Sequence, residues 1–121
     1  MFDIKKLVQA DLFDSELATA QELLKKGFLR AAGAICGVVI EKHLAQVADS
    51  HNLKITKKDP TISDYNDILK KESVIEVPDW RFIQRLGDLR NLCDHNKATE
   101  PTKADIEDLI NGADKLIKTV H

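Results

Sequence analysis

The feature that most constrains the fold is an apolar run of ten residues, Ala31 to Ile40, which lies between Arg30 and Glu41. This run is about half as long as a helix that spans a bilayer. It falls inside a predicted helix from Phe28 to about Ser50, whose middle is apolar on every side. Such a helix is typical of the centre of a bundle. The run therefore predicts a helix that other helices surround.

The rest of the chain supplies these surrounding helices. Ser73 to Pro78 is predicted to be an extended connection, because proline disfavours helix at the residue before it. Aromatic residues make up only 5% of the chain, so the core must be aliphatic, which favours a helical bundle. We therefore expect an all-α, up-and-down bundle of four to five helices. The other predicted helices are Phe2 to Lys26 with a break near Ser15, Thr61 to about Glu72, Asp79 to about His95, and a last one from Thr102, where Asp105 completes a capping box.

Length and charge limit the functions that this chain can have. Its 121 residues suffice for one domain with one core, here residues 1–121, although a piece cut from a longer protein would look the same. The formal net charge of −2 argues against strong non-specific binding of nucleic acid. Any chemistry on RNA would therefore need a local site. Met1 to Ala10 carries acids and lacks the apolar core of a secretory signal, so we expect a cytoplasmic protein that does not bind a membrane.

Two pairs of small residues bear on the packing. Gly33 and Gly37 lie four residues apart in the second helix, where they allow another helix to approach closely. Cys36 and Cys93 both lie on apolar stretches of predicted helices. Buried free thiols in a reducing compartment are the favoured interpretation, rather than a disulfide.

The fourth predicted helix carries the candidate site. Arg90 lies at the border of its apolar face, where a guanidinium must be paired or used. Glu41 is one candidate partner and Asp94, four residues further on, is the other. The apolar stripe of this helix consists of Phe82, Leu86, Leu89 and Cys93. The polar stripe on the opposite side consists of Gln84, Asp88, Asn91 and His95.

The stretch from Arg90 to His95 places four residues between an arginine and a histidine, with the polar Asn91 directly after the arginine. It resembles the signature of the HEPN superfamily. The run from Ala31 to Leu44 is similar to the second helix of such domains, and the closing helix from Thr102 also fits. These domains are small helical bundles. Many are metal-independent ribonucleases, and several act as toxins or in defence against phage.

The resemblance implies that Arg90 and His95 are a catalytic pair supported by Asn91, with no cofactor. A histidine that titrates near neutrality can remove the 2′-hydroxyl proton of RNA, and a guanidinium can stabilise the charge on the attacked phosphate. Such attack leaves a 2′,3′-cyclic phosphate. The resemblance to HEPN domains also implies a homodimer through the fourth helix, and it suggests an antitoxin or a fused regulatory domain as a further partner. The residues expected to bind or support are Glu41, Asp94 and Lys97.

Other interpretations remain open. Non-catalytic relatives of this fold exist, so the chain could be a dimerisation, adaptor or nucleotide-binding module in which Arg90 only fixes helix packing. His95 would then interact with the dipole at the end of its helix. Cys93, Asp94 and His95 are all capable of binding metal, but consecutive helical positions splay apart and no second ligand pair follows, so we expect no metal site.

Overall fold

The computed structural model describes residues 3–94 and 98–121, and these residues form five α-helices without a strand. Their arrangement confirms the predicted all-α bundle of four to five helices. The buried residues of all five helices join one aliphatic core. The helices are α1 (Ile4–Lys25), α2 (Leu29–Ser50), α3 (Ile62–Lys71), α4 (Val77–Asn91) and α5 (Lys103–Thr119).

Helix α2 lies at the centre and packs against each of the other four helices, as its apolar middle predicts. Val39, Ile40 and Leu44 are completely buried. In the described part of the chain, only α2 is long and apolar enough to cross a membrane. However, 56% of its most apolar window is buried inside the bundle, as in the core helix of a soluble protein. The cytoplasmic location stays a prediction.

Helix α1 is continuous, so the predicted break near Ser15 is wrong. Asp3 caps the helix by accepting a hydrogen bond from the backbone N–H of Lys6. The hydroxyl of Thr19 donates a hydrogen bond to the backbone carbonyl of Ser15, and the helix continues through both residues. The side chain of Phe13 is buried in the core, and this packing favours helix through the polar residues that follow it.

Helix α4 begins and ends earlier than its sequence pattern predicts. Its N-cap is Glu76 and Pro78 lies in its first turn, so the predicted start of the helix at Asp79 is wrong. Proline is tolerated there because the first N–H groups of a helix have no partner within the helix. The helix ends at Asn91 instead of near His95. Arg90 therefore lies in the last turn of α4, and Asp94 lies beyond it.

Helices α3 and α5 both begin with a capping box, in which the first side chain and the acid three residues later bond each other's backbone N–H. Thr61 and Asp64 form the box of α3. Thr102 and Asp105 form that of α5, as predicted. The capped end of α3 lies beside α2 and α4. This arrangement produces the cleft described below.

Candidate functional site

The two glycines of α2 receive side chains from the end of α4. A Cβ atom added to Gly37 would lie 2.8 Å from Cγ and 3.1 Å from Nε of Arg90. A Cβ atom added to Gly33 would overlap the sulfur of Cys93. The predicted close approach at this pair of glycines is therefore confirmed. Because Gly37 has no side chain, the stem of Arg90 can lie directly on α2.

The guanidinium of Arg90 pairs with Asp94, which was one of its two predicted partners. Arg90 Nη1 donates to Asp94 Oδ1 at 2.5 Å, and the two side chains are 35% and 43% exposed. Glu41 forms no ion pair within 4 Å in the described part of the chain, although Arg90 acts on it at longer range. Burial raises the pKa of the Glu41 carboxyl, and the nearby charge of Arg90 opposes that rise.

A second arginine, which the sequence did not single out, fixes the segment that follows α4. Arg30 donates from Nη1 to the backbone carbonyl of Asp94. It also pairs with Glu100, whose Oε1 lies 3.0 Å from Arg30 Nη2. Arg30 therefore connects the start of α2 to both sides of residues 95–97. The predicted residues His95 and Lys97 lie outside the described residues.

Helices α2, α3 and α4 enclose a cleft of about 440 Å³, which is the size of a small-molecule site. The cleft gathers four of the six predicted site residues, Glu41, Arg90, Asn91 and Asp94. Gln84 and Asp88 of the predicted polar stripe line it as well. The remaining lining residues are Thr61, Ile62, Ser63, Asn66, Asp67, Trp80 and Gly87.

Asn66 is a functional candidate that the sequence analysis missed. It is only 2% exposed, and its Nδ2 donates to the backbone carbonyl of Trp80 at 2.9 Å. Its Oδ1 is buried and accepts no hydrogen bond from the described residues. The available signal was its position on the buried stripe of α3, where it lies between Ile62 and Leu69.

The charges around the cleft are mostly negative. Among the residues that the structure describes, its lining contains the carboxylates of Glu41, Asp67, Asp88 and Asp94 and one positive charge, that of Arg90. Asp67 accepts a hydrogen bond from the indole N–H of Trp80 at 3.2 Å. A phosphate group would therefore be attracted only near Arg90 and repelled elsewhere in the cleft.

Neither cysteine is suited to nucleophilic chemistry. Cys36 and Cys93 are both free and buried, which confirms the prediction of buried free thiols. Burial, with a smaller contribution from Cys93, raises the pKa of Cys36 to about 12. Burial also raises the pKa of Cys93, although the nearby arginines oppose that effect. Neutral thiols are weak nucleophiles, so these side chains act in packing.

Comparison with protein-family models, with curated proteins and with solved structures finds no match to this chain. The resemblance to HEPN domains therefore depends on the residues of the chain itself.

Proposed function

We propose that this chain is an HEPN-like, metal-independent endoribonuclease in which Arg90, Asn91 and His95 act on RNA. The observation that carries the proposal is the position of Arg90. Its stem lies on Gly37, and its side chain is about one third exposed at a cleft that Asn91 also lines. An arginine held in this way can bind a phosphate while it loses little conformational freedom.

In this mechanism His95 removes the proton of the 2′-hydroxyl, whose oxygen attacks the adjacent phosphorus and displaces the 5′-oxygen of the next nucleotide. Arg90 stabilises the negative charge on the phosphate oxygens. The products carry a 2′,3′-cyclic phosphate and a 5′-hydroxyl. On a straight helix, side chains five residues apart would point in different directions. That argument applies to the helix itself, and α4 ends at Asn91.

The ion pair between Arg90 and Asp94 does not prevent phosphate binding. Pairs that are this exposed contribute about 0.2–1 kcal/mol, which a bidentate contact with phosphate can exceed. Asp94 would then turn toward solvent. We further propose that the enzyme acts as a homodimer through α4, in the cytoplasm, as a toxin or in phage defence, under the control of an antitoxin or a fused domain.

The first experiment is RNA cleavage by the purified protein in EDTA. We expect products that end in 2′,3′-cyclic phosphate, and rates that fall at least about 100-fold in Arg90→Ala and in His95→Ala. Arg85→Ala is the matched control, because Arg85 belongs to the same helix but pairs with Asp108 on the surface. Wild-type rates in either site variant would contradict the proposal, as would cleavage that requires a metal ion.

A second candidate function is favoured by Asp94, which already neutralises Arg90, and by the negative lining of the cleft. In that case the domain binds a partner or a nucleotide without cleaving RNA. The same assay separates the two functions. Absence of cleavage for several classes of RNA, together with a ligand whose binding Arg90→Ala weakens, would favour the non-catalytic module.

A further inference from the structure

The stretch from Arg90 to Asp94 is held at both ends by one face of α2. The stem of Arg90 lies on Gly37, and the backbone carbonyl of Asp94 accepts a hydrogen bond from Nη1 of Arg30. Arg30 and Gly37 are seven residues apart in α2, which is about two turns, so both lie on the same face of this helix. The central helix therefore determines where both ends of the stretch lie.

The carbonyl that Arg30 binds belongs to the peptide group between Asp94 and His95. A peptide group is planar and stiff, so a hydrogen bond to its oxygen also restricts the position of its nitrogen. That nitrogen is the backbone nitrogen of His95. The chain therefore enters the proposed catalytic histidine from a peptide group that is bound to α2.

The contacts of Arg30 are suited to holding this peptide group in place. Its side chain is only 16% exposed. Both oxygens of Glu100 bind the guanidinium, with Nε 3.1 Å from Oε2 and Nη2 3.0 Å from Oε1. Such a two-point contact orients a guanidinium as well as neutralising it.

Helix stability does not account for an arginine at this position. Arg30 lies in the first turn of α2, where the helix dipole disfavours a positive charge. The contacts that favour it are those with Asp94 and Glu100, which are 64 and 70 residues away in the sequence. These contacts join the start of α2 to the connection between α4 and α5.

We propose that Arg30 is a positioning residue of the ribonuclease site, which holds the peptide group before His95 at a fixed place relative to Arg90. This inference rests on the proposed ribonuclease function. Arg30 binds the main chain of Asp94, whereas Arg90 binds its carboxylate. The carboxylate can therefore turn away when a phosphate binds Arg90, while Arg30 keeps the peptide group in place.

The kinetic test compares Arg30→Ala with the wild-type protein in the cleavage assay in EDTA. We expect kcat to fall at least about tenfold, because small displacements of a catalytic group reduce the rate strongly. KM should change less than about twofold, since Arg90, which binds phosphate, keeps its place on Gly37. Arg85→Ala also removes an arginine that pairs with an acid, Asp108, and as the matched control it should preserve both constants.

An NMR order parameter provides a readout that does not depend on RNA. In the wild-type protein and in Arg85→Ala, the backbone order parameter of His95 should lie in the rigid range near about 0.85. In Arg30→Ala it should fall below about 0.6, which is typical of flexible backbone. The order parameters of the buried residues of α5 should stay unchanged, which separates local release from a general loss of structure.

Glu100→Gln keeps the test decisive if Arg30→Ala does not fold. The side chain of Glu100 is 72% exposed, so this substitution leaves the core intact. It replaces a charged two-oxygen contact with a weaker neutral one. We expect the same changes on a smaller scale, with kcat lower by about two- to fivefold at an unchanged KM.

A folded Arg30→Ala variant with wild-type kcat would overturn the proposal, and so would an unchanged order parameter at His95. A higher KM with unchanged kcat would also overturn it, because Arg30 would then bind substrate. Failure of the ribonuclease proposal is distinguishable from these results. The wild-type protein would then cleave no RNA, and an order parameter at His95 that still depends on Arg30 would support the holding of this peptide group alone.

Discussion

At the scale of single residues, the site depends on what Gly33 and Gly37 lack. Glycine within a helix normally destabilises it by about 0.5–1 kcal/mol relative to alanine. The central helix contains two such glycines, and the side chains of Cys93 and Arg90 occupy the space that a side chain at Gly33 or Gly37 would fill. Gly87 of α4 is different, because the nearest atom to an added Cβ is 3.6 Å away, on Ile62.

These contacts predict three different outcomes for the same substitution. Gly87→Ala should stabilise the protein by about 0.5–1 kcal/mol through helix propensity. Gly33→Ala should destabilise it by about 1–3 kcal/mol, because the sulfur of Cys93 must move within a packed core. Gly37→Ala should also gain helix propensity, but this gain should be cancelled because the stem of Arg90 must move away from the new methyl group. The free energy of unfolding in urea measures all three.

A double-mutant cycle tests whether Arg90 is the cause. In the Arg90→Ala background, Gly37→Ala should become stabilising by about the same amount as Gly87→Ala, since the stem that it displaces has been removed. If Gly37→Ala has the same effect with and without Arg90, the stem of Arg90 does not occupy the surface of Gly37.

At the scale of elements, His43 of α2 connects three parts of the bundle. Its Nε2–H donates to the backbone carbonyl of Val120, just after α5, at 2.7 Å. Its ring meets the edge of Phe13 from α1 and the ring of His121. Burial lowers the pKa of His43 below 6.5, the hydrogen bond to Val120 partly opposes this, and the charge of His121 adds to it. His43 is therefore neutral in the folded protein at neutral pH.

This lowered pKa predicts a loss of stability in mild acid. A histidine whose pKa is lower when folded contributes stability that is present above its unfolded pKa of about 6.5. That contribution is lost as the pH falls through the lower folded pKa. The melting temperature should therefore decline between pH 7 and pH 5, and His43→Gln should reduce the decline. His51→Gln, at an exposed histidine, should preserve it, and an equal slope in all three proteins would refute this role of His43.

The elements also show what could be predicted from sequence. Periodicity predicted helices, the apolar middle of α2 predicted its central position, and Asp105 three residues after Thr102 predicted the capping box. Each of these depends on local pattern. The predicted start of α4 was wrong because Pro78 fits equally well in an extended segment and in the first turn of a helix. Arg90 and Asn91 could be identified from a motif. Asn66 could not, because its missing partner is visible only when α3 and α4 are packed together.

At the scale of the whole molecule, the open question is whether one subunit or two form the proposed ribonuclease site. Arg90 is fixed on α2 of its own chain, and Arg30 holds Asp94 on the near side of residues 95–97 and Glu100 on the far side. The polar residues Gln84, Asp88 and Asn91 line a cleft within one chain. A dimer through α4 would place the motifs of both chains next to each other.

Mixing two inactive variants separates these arrangements. If Arg90 of one subunit acts with His95 of the other, a heterodimer of Arg90→Ala and His95→Ala retains one intact site of two. Random exchange makes half of the dimers heterodimers, so the mixture should recover about a quarter of the wild-type cleavage rate. If both residues act within one subunit, every site lacks one group and the mixture stays inactive. We expect recovery, because the proposed dimer brings the ends of both α4 helices together.

Recovery must also depend on subunit exchange, so covalently crosslinked homodimers of each variant should remain inactive after mixing. Persistent inactivity in freely exchanging dimers would assign the site to a single chain.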